Sequence, residues 1–328
     1  MKIIAIAIVV LFLQIGLFAQ SHDSLCVWPP PPEQARIKHI QTISSLADFK
    51  HEGGFFSKLF NFFAGTERRS QWFVQPVGIA VSPNGRIVIT DPGANCVHII
   101  DIKEKDYKYI AETKFGKFIS PVGVAFADDG TMYVSDSQRG DVVVFDSDLD
   151  ADHLIKGDIK RPTGLAVVGD KLYVVDTGDH QIKVFNRRGE YLSSFGKHGK
   201  GYGEFNYPLQ LAVRDSIVVL DGLNYRVQTF DVAGKFGSTF GRQGNIAGRF
   251  AGPKGIAMDS DDNIYITDAL MDNFQIFDKN GQLLLIVGTH GKLDGQFMNP
   301  GGICIDRNDK IYIVETLNKR IQIFQYLK

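Results

Sequence analysis

The sequence predicts an all-β fold built from six repeated blades, and three observations carry that expectation. A Pro-x-Gly-type entry recurs at Pro76, Pro121, Pro162, Pro208, Pro253 and Pro300, at intervals of 41 to 47 residues. Each entry opens a short apolar run, and a second run follows that stops at an acidic residue: Asp91, Asp136, Asp176, Asp221, Asp268 or Glu315. Turn pairs such as Asn84-Gly85, Asp129-Gly130 and Asn280-Gly281 separate the runs and supply the positive φ angles that hairpins need. Four short strands per period of this length are the signature of a propeller blade. The expected fold is a six-bladed β-propeller of four-stranded antiparallel blades.

The totals agree with a globular chain. Of 328 residues, 44% are apolar, enough for a sizeable core. The 36 basic and 37 acidic residues nearly cancel, so no global field draws nucleic acid, which is not expected as a partner. Three cysteines without a Cys-x-x-Cys spacing argue against a zinc ribbon, a thioredoxin-like site or c-type haem.

From the N-terminus, Met1–Gln20 places a lysine before an apolar run with the small Ala19 near its end. This is the pattern of a signal peptide, with cleavage near Ala19–Gln20 and export to the periplasm or the outside. Gln14 interrupts a run already short for a membrane span. Residues 21–35 contain Pro29–Pro32 and are expected to form a stiff polyproline spacer before the propeller of residues 36–328. Arg36–Ile43 alternates polar and apolar residues and reads as a strand. An aromatic insertion, residues 51–75, follows; within Phe55–Phe63 a helix would gather Phe55, Phe56, Leu59, Phe60 and Phe63 on one face. Three roles stay open for it: covering the central funnel, gripping a protein, or touching a membrane peripherally.

The six repeats then occupy the chain to its end. The sixth stops at Lys328 after its third strand, and Arg36–Ile43 is the unassigned candidate for the fourth. Closing the ring with both chain ends removes an exposed sheet edge.

With these residues in place, the chain resembles the NHL-repeat family of six-bladed propellers. Tyr173–Phe185, Val219–Phe230 and Phe195–Pro208 carry the resemblance most clearly, and it extends over roughly residues 71–328. It implies the fold, and among activities it implies binding modules, extracellular sensors, RNA-binding domains and a few lyases. The family's arginine five residues after the strand-ending acid is kept at Arg226 and Arg320. Cys96, Asp141, Gln181 and Asn273 replace it elsewhere.

Antiparallel alternation puts the entries, the acidic strand ends, the loops between second and third strands and the long loops between blades on one face. One acid per blade is what turn capping predicts, and a ring of them is too spread out for a metal. Gly196–Gly203 precedes a strand rather than a helix, so it is not a phosphate loop. Departures from the repeat mark candidate binding residues. Gln210 replaces the entry glycine of the other five blades, and Lys254 and Arg161 lie beside entry prolines. Leu223, Tyr225, Leu270 and Met271, with Leu317 and Tyr202, place apolar side chains in loops of this face; Phe55, Phe56, Phe60, Trp72 and Phe73 are expected to extend that surface. The expected function is an exported, monomeric, non-enzymatic binding or scaffold propeller that captures a protein or small ligand on its loop-rich face, with no cofactor. The alternative is a lyase- or lactonase-type enzyme using a divalent metal, calcium or zinc, at the funnel.

Overall fold

The computed structural model describes residues 26–45 and 72–328, so the expected signal peptide and Phe55–Phe63 lie outside the described residues. Six antiparallel sheets form the ring. Blade one runs through Gly78–Val81, Ile87–Asp91, Cys96–Asp101 and Asp106–Ile110 from the axis outward. Blade two, whose fourth strand has the weakest sequence pattern, completes itself with Ala151–Ile155. Blades three to five open with Pro162–Val168, Pro208–Val213 and Pro253–Met258. Blade six contains Pro300–Ile305, Lys310–Glu315 and Arg320–Tyr326, and its fourth strand is Ile37–Ile43.

That fourth strand closes the ring as expected. Ile37 stands opposite Tyr326 and Ile43 opposite Ile321. Both isoleucines are fully buried, because Ile37 enters the core between blades five and six and Ile43 the core between blades six and one. Ile37 thus completes a core whose other members come from the C-terminal part of the chain, Ala257 to Phe324, and Ile43 joins residues 72–100 of blade one to residues 312–323 of blade six.

The region before it differs from a spacer. Val27–Trp28 pairs with Lys38 and Ile37 as a fifth strand of blade six, and the prolines form the turn between the two strands. Trp28 packs edge-on against Phe324, with ring centroids 5.9 Å apart. Burying the indole there outweighs the local preference of a proline run for an extended strut.

The cores lie between blades. Between blades three and four, Tyr173, Val175, Phe205, Leu211 and Phe230 interlock. The residue three before each entry proline is a large apolar plug: Phe73, Phe118, Ile159, Phe205, Phe250 and Phe297 are all buried. Burial of such a side chain is worth about 1.5–3 kcal/mol, and it seats each inter-blade loop in the gap between neighbours.

Trp72 and Phe73 correct an expectation at this point. Rather than adding to an exposed surface, they stack on each other at 4.4 Å and belong to the core with Ile43 and Tyr312. Phe73 is the blade-one plug, and aromatic character alone does not distinguish a plug from a patch.

Candidate functional site

The loop face is built on the strand-ending acids. All six are fully buried. Asp91 accepts hydrogen bonds from the backbone N–H of Val74 (2.7 Å), Gln75 (2.9 Å) and Ala94 (3.0 Å). Asp136, Asp176 and Asp268 repeat the arrangement with Ile119 and Ser120, Lys160 and Arg161, and Ala251 and Gly252. Each carboxylate thus ties its own second strand to the entry of its own first strand. Burial alone would raise the Asp91 carboxyl, but His98 and the three backbone donors outweigh it and leave the group below the ordinary value. Asp221, bound by Asn206, Asn224 and Arg226, is instead raised, because burial dominates those partners.

Three further residues clamp the long inter-blade loops, and the repeat comparison overlooks them. Gln228, Gln275 and Gln322 each lie seven residues after a strand-ending acid. Each Nε2 donates to a loop carbonyl, of Glu204, Arg249 and Gln296, and each Oε1 accepts from a loop glycine, Gly203, Gly248 and Gly295. The signal was legible as a glutamine at one register of three consecutive blades. Arg226 and Arg320 reinforce two of these loops through the carbonyls of Gly201, Glu204, Leu293 and Gln296.

Around the axis, the entry glycines let neighbouring first strands touch. A Cβ at Gly123 would sit 1.9 Å from the Thr163 carbonyl oxygen. Hydroxyls bridge the contact: Gly123 N–H donates to Ser135 Oγ (2.8 Å), which donates to the Thr163 carbonyl (2.7 Å). Thr90 and Thr267 make the same bridge to Val122 and Gly301. Beyond this neck lies an axial cavity of about 230 Å³, lined by the inner strands of all six blades.

The candidate residues fall into three places. Gln210 lines the axial cavity, and Gly164 makes room for it, since a Cβ there would lie 2.0 Å from Gln210 Oε1. That oxygen accepts from the Leu211 N–H at 3.1 Å. Arg161, Lys254, Leu223 and Leu270 are exposed at the entries and second-to-third-strand loops of blades three, four and five. Leu270 lies over Gly252, and Met271 beside it is half-buried. Tyr225 sits at φ 52° and packs against the core between blades four and five. Tyr202 stacks on Phe236 of the outermost strand of blade four, 5.0 Å away and apart from the entries.

Tertiary structure also assembles groups that are scattered in the chain. The His180 and His198 rings come within 4.5 Å, and His180 Nδ1 accepts from the Tyr207 N–H at 3.1 Å. Burial, then the neighbouring His198, holds His180 below its ordinary value. Cys96, His98 and Asp91 have the composition of a nucleophilic triad, with Cys96 Sγ 3.4 Å from His98 Nε2. The grouping is closed over by Phe73 on the His98 ring, and burial, with Asp91, pushes the Cys96 thiol up to about 12. A thiol so rarely ionised and so enclosed is an inert core residue. Among the described residues no group of three or more His, Cys, Asp or Glu side chains is placed to hold a metal ion.

Comparisons with known proteins agree on the architecture. A family model described as a 6-bladed beta-propeller matches residues 156–239 and 255–326, and the NHL repeat model matches residues 73–100. No curated protein matches the chain. Among solved structures, a catalytically inactive virginiamycin B lyase from Staphylococcus aureus with quinupristin aligns at TM-score 0.57 and 14% identity, over 77% of this chain and 95% of that one. An auxiliary nutrient binding protein from Bacteroides thetaiotaomicron aligns at TM-score 0.61 and 14% identity, over 78% and 70%. A gluconolactonase from Xanthomonas campestris aligns at TM-score 0.61 and 13% identity, over 78% and 87%. At such identities the likeness is one of fold, across proteins that bind and proteins that catalyse.

Proposed function

We propose that the chain, a six-bladed β-propeller with an NHL-repeat match over residues 73–100, is an exported binding propeller that captures a protein on its loop face. One observation carries this reading. Leu223, Leu270 and Leu317 occupy the same loop position in blades four, five and six and are between half and three-quarters exposed. Blades one to three have Gly93, Gln138 and Gly178 there. Turn geometry is met in every blade, so the leucines do no structural work that glycine or glutamine cannot do. Three neighbouring exposed leucines on one rim are the kind of surface that a partner covers.

Crosslinking of the native protein followed by mass spectrometry tests this. Crosslinks to a partner should run from residues around Leu223, Leu270 and Leu317, and the triple Leu→Ser variant should lose them while its circular dichroism is unchanged. Crosslinks that persist in the variant sink the placement. Export is tested by the mature N-terminus: mass spectrometry of the periplasmic or secreted fraction should find a chain lacking about the first 20 residues. The propeller acts as a monomer in this reading, checked by light scattering.

A further inference from the structure

We propose that the segment captured there is acidic and carries a leucine or phenylalanine: its apolar side chain rests on Tyr207, Leu209 and Leu223 of blade four, and its carboxylates meet Arg161 of blade three and Lys254 of blade five. This rests on the reading of the loop face as a binding face and names the chemistry of what binds.

Arg161 immediately precedes the entry proline of blade three, and Lys254 immediately follows that of blade five. They therefore flank the entry of blade four from either side. In the other blades the same two positions hold uncharged residues: Gln75, Ser120, Tyr207, Gly252 and Asn299 before the proline, and Val77, Val122, Thr163, Leu209 and Gly301 after it. The repeat does not require a cation at either place. Both side chains are exposed, and among the described residues neither guanidinium nor ammonium forms an ion pair or hydrogen bond; the Arg161 main chain is engaged, its N–H by Asp176 and its carbonyl by the Thr177 N–H.

The acids of this face are committed elsewhere. The strand-ending carboxylates are buried against backbone donors. Asp179 is paired with Lys160 and Lys183, and Asp272 with His290. Two uncommitted cations are left on either side of an apolar step, in which Tyr207 is 42% and Leu223 51% exposed. Charge complementarity calls for an anionic partner, and the step between the charges calls for an apolar side chain. A nucleic-acid backbone would leave that step uncovered.

A library of random heptapeptides displayed on phage, panned against the mature chain, tests the proposal. Selected peptides should be enriched in Asp or Glu flanking Leu or Phe. Their affinity should fall about tenfold in R161E/K254E, as for two reversed exposed charge contacts, and should vanish in L223S/L270S. Binders that are lost in L223S/L270S but show no acidic enrichment and ignore R161E/K254E overturn this inference and leave the binding face standing. No binders, or binders indifferent to both variants, overturn both. Binding confined to vesicles of anionic phospholipid, with no peptide selected, also overturns the proposal.

Discussion

Single residues in this protein hold the entries of blades, and their charge state follows from that work. Asp91→Ala would strip the acceptor from three backbone N–H groups in a buried turn. The expected loss is about 2–4 kcal/mol, read from the denaturant midpoint. Because the folded Asp91 carboxyl lies below its ordinary value, its stabilisation is present above that ordinary value and disappears as pH falls through the folded one. The acid limb of the stability profile should therefore flatten in D91A. His180 shifts in the same direction, but there the shift is a penalty on the charged form at low pH rather than a gain for the charged form at high pH. Its folded value is depressed by burial and then by His198, so the unfolded chain binds the extra proton and stability rises with pH across the window just below the ordinary histidine value. Replacing His198 by Ala should move the His180 titration upward, and the Tyr207 amide resonance should follow the same titration, since its N–H donates to His180 Nδ1. An unmoved titration would contradict the pairing.

At the scale of elements, neighbouring first strands are held by close backbone approach. Gly123→Ala places a methyl 1.9 Å from a carbonyl oxygen of the next strand. Neither backbone can withdraw without breaking the Ser135 bridge, so a loss of about 3 kcal/mol or more is expected, seen as a fall in melting temperature. The glutamine clamps act on loops rather than on the ring. Gln322→Ala would leave Gly295 N–H and the Gln296 carbonyl without their amide partner. The expected cost is about 1–3 kcal/mol, with faster hydrogen exchange confined to residues 288–300. Exchange that quickens evenly round the ring would show that the clamp has a different role.

For the whole molecule, closure is the decisive contact. A chain beginning at Ser44 loses the strand opposite Arg320–Tyr326 and uncovers the inter-blade cores on both sides of blade six. Its melting temperature should fall sharply, and it should bind a hydrophobic dye; melting like the mature chain would overturn the closure argument.

Much of this was legible in the chain because a propeller repeats its instructions. Alternating apolar residues, turn glycines and a strand-ending acid recur six times, and each acts within a few residues of its neighbours. The closing strand was legible because it was the one strand pattern left without a blade. The sequence by itself determined the strands, the blade count, the closure and which loops share a face. Only the tertiary structure decided that Trp72 and Phe73 are core, that Val27–Trp28 is a fifth strand, that His180 meets His198, and that Gln210 lines the axial cavity. The reason is physical: strand and turn preferences act over a few residues, whereas burial and pairing at these positions depend on surfaces brought up from other blades and from the opposite end of the chain.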